Sequence, residues 1–99
     1  MLHLVNKSPT SSPALKQCLK RTRKGCAILL MEDAVYAAIS ETEMASQIQK
    51  HMQHIMFYAL EPDIKARSIG KKIIPGIERI DYDGFVELAA KQHPIQSWF

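Results

Sequence analysis

Two short stretches of unbroken apolar residues constrain this chain more than any other feature. Residues 26–31 (Cys26, Ala27, Ile28, Leu29, Leu30, Met31) and residues 54–60 (His54, then Ile55 to Leu60) are too short to be helices of their own. Neither alternates polar with apolar, as a strand with one wet face would. Strands buried on both faces fit both runs, and such strands belong to parallel sheets covered by helices. Residues 2–5 (Leu2, His3, Leu4, Val5) suit a first strand, and residues 77–80, with Ile77 and Ile80 at their ends, a short further one.

Helix chemistry fills the intervals. Ser12-Pro13 reads as a helix start, with Ser at the cap and Pro at the first helical position. Leu15, Cys18, Leu19 and Thr22 then share one face of a helix that stops near Gly25. A short helix is predicted over residues 33–39, with Glu32-Asp33 in the strand-to-helix turn. Ser40 and Glu43 match a capping box for a helix over 41–52 with Met44, Ala45, Ile48 and Met52 on its apolar side. Glu61-Pro62-Asp63 starts a helix running to about Ser68, with Gly70 as its stop. Asp81 caps the last helix, whose Phe85, Val86, Leu88 and Ala89 face the sheet until His93-Pro94 ends it. The tail, Ile95 to Phe99, holds two large aromatics that water would leave at a cost. Strand and helix alternate with crossovers long enough for right-handed βαβ units. The expected fold is α/β, an open, mostly parallel sheet of four to five strands with helices on both faces, in one domain spanning residues 1–99.

Composition narrows the function classes. With 46% hydrophobic and 23% charged residues the chain is an ordinary globular one. No apolar run approaches the roughly 20 residues a membrane helix needs, and Met1 to Val5 carries no signal-peptide features, so a cytoplasmic protein is expected. Cys18 and Cys26 are too few for a disulfide scaffold. His3, His51, His54 and His93 lack zinc-ligand spacing, and Gly25, Gly70, Gly76 and Gly84 stand alone, without a phosphate-cradling motif. Neither metal nor cofactor is expected.

Charge is unevenly placed. Residues 1–25 carry six cations (Lys7, Lys16, Lys20, Arg21, Arg23, Lys24) and no acid, whereas the remainder carries seven basic and ten acidic groups. Such a basic end suits an acidic protein or RNA, or simply complements the dipole at a helix C-terminus. The interleaved aromatics of a single-strand binding surface are absent from it, so tight RNA binding is not expected.

Cys18 leaves two readings open. Neighbouring cations lower a thiol's pKa and favour the nucleophilic thiolate, but a free cysteine within a Leu15/Leu19 stripe also serves as a small buried hydrophobe. Glu32-Asp33 lies where α/β sheets place ligands and reads as helix capping. His3 reads as a satisfied, partly buried imidazole, and Met44, Met52 and Met56 as core.

Several stretches together resemble the TusB/DsrH family. They are Met1-Leu2-His3 with Asn6-Lys7-Ser8-Pro9, Cys18-Leu19, Leu29 through Val35, Phe57-Tyr58-Ala59-Leu60, Asp63 through Arg67, Ile80 through Leu88, and His93-Pro94 with Gln96-Ser97-Trp98. Each is weak alone, but their order and their reach to both ends are specific. The resemblance implies a DsrE/F/H-like fold and a dimer of heterotrimers with TusC-like and TusD-like subunits. That complex would relay persulfide sulfur from a TusA-like donor to a TusE-like acceptor, towards 2-thiolation of the tRNA wobble uridine. The TusD-type subunit holds the principal cysteine there, which makes this chain an accessory subunit without autonomous catalysis. The DsrH branch, associated with sulfur oxidation, commonly has a cysteine in the first helix. Cys18 matches it, so a DsrH-like persulfide carrier is the alternative. A basic-helix module for RNA or an acidic protein is the third. Isolated, such a chain has homodimerisation open to it as a substitute for its partners.

Overall fold

The two apolar runs lie side by side near the middle of one sheet. A computed structural model describes residues 1–99, with strands β1 (Leu2–Val5), β2 (Ala27–Leu30), β3 (Met56–Leu60), β4 (Glu78–Ile80) and β5 (Ile95–Trp98). Helices α1 (Ala14–Arg21), α2 (Glu43–His51), α3 (Glu61–Ala66) and α4 (Tyr82–Lys91) connect them. A 3-10 helix, Glu32–Ala38, precedes α2. The strand order is β4-β3-β2-β1-β5 and every pairing is parallel. The expected open parallel sheet with helices on both faces is thus present, and it has five strands.

Topology divides the helices unequally. Strands β1 to β4 step across the sheet in one direction, so α1, the 3-10 helix, α2 and α3 share one face. They pack there with Val5, Ile28, Leu30, Phe57 and Ala59 into a cluster of 19 buried residues. The reversal from β4 to β5 sends α4 alone to the other face, where Leu88 joins Leu2, Leu4, Ala27 and Leu29 in a cluster of 5. Two sequence expectations fail on this thinner side. Val86, expected to face the sheet, is 67% exposed because it stands on the side of α4 opposite Leu88, and Met56, expected in the core, is 55% exposed because one helix cannot roof five strands.

Helix ends also differ from expectation. The residue before α1 is Pro13, while the Ser12 hydroxyl accepts from Ala14 N–H at 3.1 Å. The helix stops at Arg21, and Gly25, at φ +89°, serves the following turn, donating its N–H to His54 O at 3.0 Å. Thr42, not Ser40, caps α2: its hydroxyl accepts from Ala45 N–H at 3.1 Å, while the Ser40 N–H is drawn to Lys72 O at 2.7 Å. The α3 helix ends at Ala66 and Ser68 adopts φ +55°, so Gly70 opens a 3-10 turn instead of stopping the helix. Asp81 does cap α4, accepting from Gly84 N–H at 2.8 Å.

Candidate functional site

Loops at the carboxyl ends of the parallel strands, where α/β sheets place ligands, bring together a group of polar and charged side chains. Asn6 follows β1, Glu32 and Asp33 follow β2, and Asp63 lies in the first turn after β3. The Asp63 carboxylate accepts the Glu32 backbone N–H at 2.6 Å, and Asn6 Nδ2 donates to Glu32 Oε2 at 3.2 Å. Together these bonds hold Glu32 at φ +50°, a backbone region that L-residues seldom adopt. Arg67 clamps Asp33 Oδ1 through Nε at 3.0 Å and Nη2 at 2.8 Å, and places its guanidinium 5.8 Å from the Tyr36 ring centre. Its bond to Asp33 holds the Arg67 pKa above the ordinary arginine value. The capping expected of Glu32-Asp33 is absent: Met31 is the N-cap, with no side-chain cap bond. Asp33 pairs with Arg67 instead, and the acid that binds the Glu32 backbone amide is Asp63, 31 residues beyond Glu32.

A second pair sits at the β3–β4 edge. Arg79 donates to both Glu61 oxygens, at 2.7 and 2.8 Å, and to Gly70 O at 2.8 Å, which lowers the Glu61 pKa. Arg67 and Arg79 pair with Asp33, Asp63 and Glu61 and so order the loops along this rim, while the Glu32 carboxylate is met only by the Asn6 amide.

Cys18 is fully buried, between Leu15 and Leu19 in the larger core. Burial pushes its thiol up to about 11, against a smaller opposing effect from the Thr22 hydroxyl 3.5 Å away. The cations of α1 therefore do not yield a thiolate here. Arg21, one turn on, lies 5.9 Å from the Trp98 ring centre. The Trp98 indole N–H donates to His3 Nδ1 at 3.0 Å, so His3 holds its own proton on Nε2. His3 is 4% exposed, and burial, aided by the nearby N-terminal charge, lowers its pKa. The buried imidazole thus finds a donor for its Nδ1 in the aromatic tail.

Between the loop after β1, α1 and α2 runs a groove of about 790 Å³, with Leu19, Tyr36 and Met44 among its apolar walls and Lys16, Lys20 and His51 among its polar ones.

A family model described as DsrH like protein matches residues 7–95. The chain belongs to the DsrH-like family. This DsrH-like chain is 35% identical over 100 residues to proteins called TusB from Salmonella enteritidis and Salmonella typhimurium, across 99% of its own length and 100% of theirs. Among solved structures it is similar to the ychN protein of E. coli, with a TM-score of 0.82 at 15% identity over 97% of both chains. It is also similar to a protein of unknown function from Methanobacterium thermoautotrophicum, with a TM-score of 0.75 at 9% identity over 97% of this chain and 95% of that one. At such identities the likeness shows the fold. No helix is long and apolar enough to cross a membrane.

Sequence reasoning missed the Asp33–Arg67–Asp63 cluster and the groove. Asp63 and Arg67 stand four apart on one helix face, a spacing that signals a pair. Nothing local points to Asp33.

Proposed function

We propose that this DsrH-like chain is a cytoplasmic subunit of a TusBCD-like sulfur relay. The relay passes persulfide sulfur towards 2-thiolation of the tRNA wobble uridine. The chain assembles with TusC-like and TusD-like subunits as a dimer of heterotrimers, between a TusA-like donor and a TusE-like acceptor. The end-to-end 35% identity to TusB proteins carries this reading. Its role is accessory: a sulfur carrier needs an accessible thiolate, whereas Cys18 is fully buried with its thiol raised to about 11.

The test is complementation with Cys18→Ser, reading 2-thiouridine in tRNA, together with light scattering of the chain co-expressed with TusC-like and TusD-like proteins. A hexamer and thiolation near the wild-type level are expected. Free monomer only would refute the assembly. Loss of thiolation as complete as deleting the subunit, with the hexamer intact, would refute the accessory role and make Cys18 a persulfide carrier.

A further inference from the structure

The six cations of residues 1–25 have no counterpart in the relay reading, and the fold sorts them. Arg21 is engaged with the Trp98 ring. Lys16 and Lys20, four apart on α1, are exposed and stand on the wall of the groove that α1 forms with α2. Below them Leu19 is buried and Met44 half-buried, so the groove pairs an apolar floor with a cationic rim. On α2 it extends from Glu43 to His51, about 12 Å at the helical rise per residue. That is two turns of a docked helix.

We propose that this groove docks an acidic amphipathic segment of a partner protein, its apolar side chains on Leu19, Tyr36 and Met44 and its carboxylates on Lys16 and Lys20. Charge complementarity with the acid-free first 25 residues selects an acidic occupant. The apolar floor selects one with an apolar stripe, the helix-in-groove mode. Nucleic acid fits less well. Tyr36 is the single Phe, Tyr or Trp of the groove, and the Arg67 guanidinium already lies over its ring, so no stacking platform for successive bases is present. A small metabolite fits less well too, since Lys16, Lys20, Thr42 and Glu43 are all exposed and the trough does not close over a ligand.

The full-length chain is titrated with a fluorescein-labelled helical peptide bearing Glu at i and i+4 and Leu and Phe along the adjacent stripe. Anisotropy gives affinity, and NMR of Leu and Met methyls gives location. Saturable binding with a Kd on the order of 10–100 μM, weakened by salt, is expected, with shifts centred on Leu19 and Met44. The double charge reversal Lys16→Glu/Lys20→Glu should weaken it at least ~10-fold with an unchanged circular dichroism spectrum, and a Gln-for-Glu peptide should bind as poorly. No saturable binding, shifts centred elsewhere, indifference to charge reversal, or displacement by a single-stranded RNA oligonucleotide at lower concentration would each overturn the proposal. Hexamer assembly of the Lys16→Glu/Lys20→Glu variant is read separately by light scattering, so failure of the groove and failure of the relay reading are distinguishable.

Discussion

Leu29 and Leu30 are neighbours on one strand, both fully buried, and they face opposite sides of the sheet. Leu30 points into a core roofed by α1, the 3-10 helix, α2 and α3. Leu29 points under α4 alone. On the first side, helices buttress one another and the interior is closed. On the second, apolar surface at Met56, Val86 and Ile95 stays in water. A doubly wound sheet this small covers one face with its own chain and leaves the other half-finished.

The strongest test of that contrast is to truncate both leucines. Leu→Ala at buried sites costs about 2–5 kcal/mol, less where the surroundings can collapse into the space. Leu30→Ala is expected near the top of that range, at about 4 kcal/mol, because its cavity walls are held from several sides. Leu29→Ala should cost about 2.5 kcal/mol as α4 settles inward. Urea denaturation measures both, and equal costs, or a larger one for Leu29, would break the comparison.

Trp98 comes next. Trp98→Ala removes a half-buried ring and leaves the His3 acceptor unpaired, an expected loss of about 2 kcal/mol. The same contact sets a pH dependence. The His3 pKa is lowered in the folded state from 6.5, so the unfolded chain takes up this proton first as pH falls. Its contribution is therefore complete above pH 6.5 and declines as pH falls below that value towards the depressed folded pKa. The melting temperature should drop between pH 7 and pH 5, and drop less in His3→Gln, which keeps an acceptor for the indole but does not titrate. An identical pH profile in the two proteins would rule out this linkage.

The smallest effect is expected at Val86. Val86→Asp, on the open side of α4, should change stability by no more than ~0.5 kcal/mol in thermal melts of the isolated chain. A large loss would mean that α4 is more deeply roofed than its exposure indicates.

How far these features were legible in the sequence depends on how local their causes are. The strand β2 was plain because burial on both faces writes an unbroken apolar run, and β3 because its run is apolar too, although Met56 is exposed and Tyr58 half-buried on the thinner face. The strand β5 was not, because Ile95, Gln96 and Ser97 are exposed at a sheet edge and carry no burial pattern. Backbone pairing with β1 and the Trp98–His3 bond make it a strand. Ser40 and Thr42 offered equivalent hydroxyls, and the choice fell to a bond between Ser40 N–H and Lys72 O, 32 residues away. The Cys18 stripe was visible in helical spacing. Whether its thiol is a nucleophile depended on what covers it, and no local spacing gives that.

Register between β1 and β5 joins Leu2 to Ile95 and Val5 to Trp98. On the ribosome this makes the first strand of the sheet to emerge wait for the last. Until residues 95–98 are outside the exit tunnel, β1 keeps one row of backbone donors and acceptors unmatched, an invitation to foreign strands. Contacts this distant in sequence also slow folding. A nascent chain therefore keeps this open edge even after α4 has been made, until β5 is captured, and a chain shortened before Ile95 would keep it permanently.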